Sequence, residues 1–225
     1  MPIPVERIRR VVSLRDVVQP FDAVRLGYDR IGSRYREWSG TGPVRLQWVA
    51  RLLDELRPGS VILDLGCGPG EPATRLLSER HRVIGVDASF VQLSLARKAA
   101  PAAMLVQADM TRFALRNSTV DAVASFYALG HVPSQLHAPL FASIANWLRP
   151  GGVLVTSTPV GAGDGIESDW LGVDMFFGGI GPQATRSAVN AAGLRIEAFE
   201  AVDEDEGDGH IVRFNWLIAR KPNKE

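Results

Sequence analysis

The chain of 225 residues has a single cysteine, Cys67. No internal disulfide is therefore possible, and the composition suits a reducing compartment. An excess of either charge is also missing: 25 Lys and Arg face 25 Asp and Glu, for a net charge of zero. That balance gives no support for nucleic-acid binding or for adhesion to an anionic membrane. No apolar run approaches the ~20 residues of a membrane span, and the opening MPIPVERIRR has no apolar core of a secretion signal. Internal repeats and low-complexity tracts are missing as well. The expectation is one sizeable cytoplasmic domain over residues 1–225, long enough to bury a full core. Its expected partner is a small molecule, neither nucleic acid nor membrane, with monomer and homodimer equally open.

What is present centres on VILDLGCGPGEPATRLL, residues 61–77. The β-branched, apolar start reads as a buried strand, entered from the turn signal Pro58-Gly59-Ser60. Gly66, Cys67, Gly68, Pro69 and Gly70 then turn the chain, and helical spacing resumes at Ala73. A strand, a glycine turn and a helix N-terminus make a nucleotide-binding corner. A dinucleotide fingerprint wants glycines at relative positions 1, 3 and 6. Gly66 and Gly68 fill the first two, but the sixth position is Glu71. With Asp64 two residues before the turn, two carboxylates flank it. They would repel a pyrophosphate, and they suit a ligand carrying an ammonium or a sulfonium.

The stretch Asp-Leu-Gly-Cys-Gly-Pro-Gly resembles motif I of the class I S-adenosylmethionine-dependent methyltransferases, small-molecule type. The resemblance runs from about Tyr28 to the C-terminus and implies a doubly wound, seven-stranded Rossmann-like sheet with an antiparallel last strand. It also implies S-adenosyl-L-methionine as cofactor. The residues agree with such a sheet. HRVIGVD, residues 81–87, reads as a second strand, and Asp87 lies 19 positions after Gly68, the interval of a ribose-binding acid. Residues 103–108 and 121–126 read as further strands, residues 153–157 as a fifth, and 194–202 and 210–219 as a closing pair. QADM resembles the segment in which these enzymes seat adenine, with Asp109 for the exocyclic amine and Met110 as an apolar wall. The candidate cofactor contacts are Tyr28, Asp64, Gly66, Cys67, Gly68, Gly70, Asp87, Ala88, Ser89, Asp109, Met110 and Phe126. Ser89 also reads as the N-cap of the helix that follows, and Asp109 as a turn cap.

Residues 1–20 form a possible loose arm, and residues 21–57 form N-terminal cap helices: one over 21–38, with aromatic Tyr28 and Tyr35, and one over 44–56. Residues 160–181 show no strong period yet concentrate Trp170, Met175, Phe176 and Phe177. They read as a loop walling the acceptor pocket. His131, just past the fourth strand, is the candidate general base. Tyr127, His131, His137, Asp169, Trp170, Met175 and Phe176 are the candidate acceptor contacts, and His81 and His210 read as surface residues. No metal site is expected: the acidic loop 203–209 lacks the spacing of a calcium loop. The Asp/Asn-Pro-Pro-aromatic motif of amino-directed nucleic-acid methyltransferases is missing, which argues against base methylation of that kind. The implied reaction is SN2 methyl transfer to an oxygen, nitrogen or carbon of a small metabolite. Two other readings stay open: a non-catalytic S-adenosylmethionine-binding module and an NAD(P)-binding Rossmann oxidoreductase.

Overall fold

The computed structural model describes residues 19–39, 42–205 and 211–223. The expected N-terminal arm up to residue 18, the tip of the acidic loop and His210 lie outside the described residues.

The strand β1 (Val61–Leu65) is buried along nearly its whole length, as a continuous apolar run should be when both faces are covered. It pairs in parallel with β2 (Arg82–Asp87) on one side and β4 (Val120–Ser125) on the other. The strands β3 (Met104–Gln107), β5 (Leu148–Pro159), β8 (Arg195–Asp205) and β9 (Ile211–Arg220) complete a seven-stranded sheet. Its order is β3-β2-β1-β4-β5-β9-β8. All neighbours run parallel except β9, which is antiparallel to both β5 and β8. This is the expected class I methyltransferase fold. The chain crosses between strands through α4 (Ala73–Ser78), α5 (Phe90–Ala99), α6 (His137–Trp147) and α7 (Gly181–Ala191).

Successive side chains of a strand point to opposite faces, so each central strand feeds two cores. Leu63, Leu65, Val123 and Leu154 meet Phe141 and Ile144 of α6 on one face. Ile62, Ala122, Ala124 and Val153 meet Trp48 and Leu52 of α3 (Pro43–Asp54) on the other. There Trp48 stacks on Trp216 of β9 at 5.3 Å between ring centroids. A third cluster lies beyond the carboxyl ends of the strands. It joins Ile31 and Tyr35 to Val173 and Met175.

That third cluster corrects two sequence expectations. The single cap helix over 21–38 is two helices, α1 (Pro20–Ile31) and α2 (Arg34–Ser39). Gly32, at φ 58°, ends the first, and its N–H bonds back to the Tyr28 carbonyl at 3.0 Å. The stretch 160–181 is not an irregular loop. It is an antiparallel hairpin of β6 (Ala162–Trp170) and β7 (Val173–Ile180), turned through Leu171 and Gly172. Nearly every residue of β6 is exposed, so no inward face imposes an alternating pattern on it, and its sequence carries no period.

Candidate active site

The glycine turn is locked from two sides. Gly66 has φ 72°, and a Cβ there would stand 2.1 Å from the Cβ of Ala128 in the loop after β4. A Cβ on Gly70 would stand 2.9 Å from Cα of Ala96 in α5. Both glycines thus allow close contact between chain segments. Gly68 faces the ring of Tyr35, which a Cβ at Gly68 would meet at 3.8 Å, and its N–H donates to Asp87 Oδ2 at 2.8 Å. Cys67 packs inward against Gly85, and burial pushes its thiol well above the ordinary range.

Two carboxylates are held beside this turn. Asp64 is 2% exposed and accepts a 2.7 Å hydrogen bond from the Thr74 hydroxyl. Burial raises its pKa to about 6, against the opposing effect of that bond. Asp87 accepts from the N–H groups of Gly68 and Ser89, each at 2.8 Å, and burial likewise raises it to about 6. Each carboxylate oxygen has a second lone pair, so both can still receive a ligand's donors.

Opposite Asp64 stands Arg45, a residue absent from the sequence-derived candidates. It is 9% exposed, its guanidinium lies 4.5 Å over the Tyr127 ring, and its Nε has no hydrogen-bond partner. A buried charge without a full set of partners is costly unless a ligand completes it. The sequence did carry a signal. Arg45, Trp48, Val49 and Leu52 are the buried positions of α3, at helical spacing, and an arginine on an apolar stripe asks for an explanation. Arg45, Asp64, Glu71, Gly68, Tyr35 and Phe126 surround a small cavity of about 20 Å³. That is room for about one water, with Tyr35 of α2 and Arg45 of α3 packed over the turn.

The other candidates near the strand ends are spread more widely. Ser89 is fully buried, and its hydroxyl accepts from Gln92 N and donates to Asp29 Oδ1 at 2.6 Å. It caps α5 and ties α1 to it. Asp109 Oδ1 accepts from Thr111 N at 2.8 Å and from the Thr111 hydroxyl, closing a turn. The Met110 methyl lies beside Gly66, and Ala88 gives its carbonyl to Gln107.

A second, open cavity of about 1110 Å³ lies between the cap helices, the hairpin and the ends of β5, β8 and β9. The candidate acceptor contacts Tyr127, His131, Asp169 and Trp170 line it, together with Tyr28, a candidate cofactor contact, and with Arg45 and Glu204. The Tyr127 hydroxyl donates to Glu204, which also accepts from Trp216 Nε1 at 3.0 Å. Burial raises the Tyr127 phenol. His131 Nδ1 lies 2.9 Å from the Phe176 carbonyl and Nε2 lies 2.8 Å from the Tyr28 hydroxyl. A carbonyl only accepts, so Nδ1 carries the ring proton and Nε2 accepts from Tyr28. Burial lowers the His131 pKa to about 4, partly offset by the Phe176 bond.

Three expected acceptor contacts are not on the cavity wall. His137 is fully buried at the start of α6, bonded through Nε2 to the Val132 carbonyl at 3.0 Å. Its position in the first turn of a core-facing helix turns it inward. Met175 is fully buried, with its methyl against Gly27 of α1. Phe176 is 6% exposed and reaches the site through its backbone carbonyl. His81, expected at the surface, is 8% exposed. Among the described residues no cluster of His, Cys, Asp and Glu could hold a metal, and no helix is long and apolar enough to cross a membrane.

Residues 62–152 match the protein family described as a methyltransferase domain. The trans-aconitate 2-methyltransferase of Azoarcus sp. (strain BH72) is 39% identical over 107 residues, 46% of this chain and 41% of that protein. The matched part is thus about two fifths of such relatives' length. An S-adenosylmethionine-dependent methyltransferase from Mesorhizobium loti superposes with a TM-score of 0.60 at 25% identity, covering 76% of this chain and 96% of that one. The 1,6-didemethyltoxoflavin-N1-methyltransferase of Burkholderia thailandensis, solved with its substrate and S-adenosylhomocysteine, gives 0.67 at 19% identity, covering 88% and 87%. At that identity the second likeness shows the fold.

Proposed function

We propose that this chain, whose fold and matched segment are those of the class I S-adenosylmethionine-dependent methyltransferases, transfers a methyl group to a nitrogen or oxygen of a small, neutral or basic molecule. The observation that carries the reading is the pairing of opposite charges over one glycine turn. Asp64, buried, suits an ammonium, and Arg45, buried with Nε unpartnered, suits a carboxylate. The amino-acid end of S-adenosylmethionine carries both groups. A pyrophosphate carries neither ammonium nor sulfonium and would meet Asp64 and Asp87, so the dinucleotide reading is disfavoured. Asp87, at the end of β2, would hold the ribose diol, and Asp109 with Met110 the adenine.

When bound, the cofactor supplies a methyl already activated on a sulfonium. The protein's task is then to position, exclude water and hold the acceptor in line. Cap helices that close over the turn serve the second of these.

The acceptor side argues against a polycarboxylate such as trans-aconitate. Asp164, Glu167, Asp169 and Glu204 line the large cavity against Arg45 and Arg213, and Arg213 is already paired with Asp203. The aromatic walls and this charge balance suit an uncharged or cationic ring compound. Titration calorimetry tests the reading. S-adenosylhomocysteine and S-adenosylmethionine should bind, and NAD and NADP should not. Binding of NAD with no binding of S-adenosylhomocysteine would replace the reading with a dehydrogenase.

A further inference from the structure

Three elements distant in the chain meet at His131. Tyr28 comes from α1, His131 from the short 3-10 turn Leu129–His131, and the Phe176 carbonyl from β7. Their hydrogen bonds have one possible direction. The carbonyl fixes the proton on Nδ1, and the Nε2 lone pair takes the Tyr28 proton. The imidazole then has neither a proton nor a lone pair left for an acceptor. Tyr28 has given its only proton away; Tyr35 is a further hydrogen-bond partner of its oxygen, which leaves one lone pair. The chain of bonds therefore ends in a hydrogen-bond acceptor on the wall of the large cavity, where Tyr28 and His131 both stand.

Resting on the methyl-transfer reading above, we propose that Tyr28, rather than His131, is the residue the methyl acceptor touches. Its phenol oxygen receives an N–H of a neutral amine, and His131 is a positioning residue that acts through it. The chemistry selects nitrogen. The nitrogen lone pair forms the new bond to the methyl carbon, and the pair of the broken S–C bond stays on sulfur. The nitrogen becomes positively charged, and its N–H bond to Tyr28 strengthens as that charge develops. The proton leaves to water afterwards, so no base is consumed during attack. A hydroxyl would need a base at that moment, and the His131 lone pair is occupied. A carboxylate offers Tyr28 no donor and would stand among Glu204, Asp169 and Asp164 of the same wall.

The test uses the full chain loaded with S-adenosylhomocysteine and a matched set of probes: aniline, phenol and benzoate. Aniline should bind at least tenfold more tightly than benzoate. Tyr28→Phe should weaken aniline about five- to tenfold, the size of one hydrogen bond to a neutral donor. His131→Ala should weaken it as much. His131→Gln, which keeps an oxygen to accept the Tyr28 proton, should stay within about twofold of wild type. In ¹⁵N spectra the His131 ring should show the proton on Nδ1 and remain neutral from pH 5 to 8. Given S-adenosylmethionine instead, the wild type should convert aniline to N-methylaniline. Benzoate binding as tightly as aniline, full aniline affinity in Tyr28→Phe, or His131→Gln as weak as His131→Ala overturns the contact. A proton on Nε2 does so too. Anisole from phenol at an equal rate, or no methylated aniline, overturns the choice of nitrogen. Failure of S-adenosylhomocysteine to bind is a separate result and removes the methyl-transfer reading beneath.

Discussion

The floor and the roof of this site are built on opposite principles. The floor is the glycine turn with Asp64 and Asp87 at the ends of β1 and β2. It is polar, held by hydrogen bonds from backbone N–H groups to Asp87 and from the Thr74 hydroxyl to Asp64, and drawn from residues 64–87 of one continuous run. The roof is α1, α2 and the β6–β7 hairpin. It is aromatic, joined by ring contacts among Tyr28, Tyr35, Trp38 and Trp170, and drawn from segments more than a hundred positions apart. A floor made this way tolerates almost no change of shape. A roof of ring edges can part and close again at small cost. The difference suits a site that must hold one invariant ligand and admit it from outside.

The largest expected effect is on the floor's shape. Gly66→Ala places a Cβ 2.1 Å from that of Ala128 at a φ of 72°. Strain of that backbone region alone is worth ~1–2 kcal/mol, and the clash adds to it. The variant should lose about 3 kcal/mol or more in urea denaturation. Gly165→Ala in the roof, where nothing lies within 4 Å, should stay within about 0.5 kcal/mol. Equal losses in the two variants would erase the distinction.

The next effect falls on the charge pair. Arg45→Met keeps the apolar stem and removes the guanidinium. S-adenosylhomocysteine affinity should fall by about 1.5–3 kcal/mol, the worth of a hydrogen bond to a charged group. Asp87→Ala should cost a similar amount through the ribose. Calorimetry on both variants measures it, and unchanged affinity in either takes that residue out of the cofactor site.

The contrast also explains what could be read in advance. The floor was legible because a turn writes its needs locally: Gly66 and Gly70 by backbone shape, Asp64 and Asp87 by their spacing from them. The boundaries of β1 fell where the apolar run placed them, at Val61–Leu65. The roof was not. Gly32 split a periodic helical pattern because a glycine tolerates both a helix interior and its end. The hairpin was hidden because the exposed β6 has no inward face. His137 looked like a pocket residue from its nearness in sequence to His131, yet the helix phase turned it into the core. Arg45 was visible only as a polar residue on an apolar stripe. The tautomer of His131 depended on a carbonyl 45 positions away, which no local pattern reports.

Acid should separate stability from binding on the floor. The pKa values of Asp64 and Asp87 rise from an ordinary 3.8 to about 6 on folding. The folded chain therefore holds more protons than the unfolded one between those values. The contribution of these groups to stability is fully present below pH 3.8 and is lost as pH rises through about 6. Ligand binding has the opposite sign, because an ammonium and a ribose diol need the ionised forms. From pH 7 to pH 5 the free protein should gain stability from these two carboxylates. S-adenosylhomocysteine should bind about tenfold more weakly per carboxylate that must ionise. Calorimetry and thermal melts over that range measure both, and affinity that is flat with pH would show that neither carboxylate meets the ligand.

The smallest expected effect is in the roof and is a matter of rate. Trp170 touches Trp38 at 5.5 Å, Phe177 at 5.5 Å and Tyr28 at 6.0 Å between ring centroids. It is only half-buried, so Trp170→Ala should cost about 1 kcal/mol of stability, the scale of one or two exposed aromatic pairs. Tyr35 of the roof lines the floor's cavity of about 20 Å³ and contacts the Trp170 ring, so a ligand larger than a water needs the roof to shift. Removing its central ring lowers the barrier in both directions. Association and dissociation of S-adenosylhomocysteine, followed by stopped-flow fluorescence of the remaining tryptophans, should both speed up while their ratio changes little. An unchanged dissociation rate would mean that the ligand reaches the floor by another way, and that the roof serves the acceptor alone.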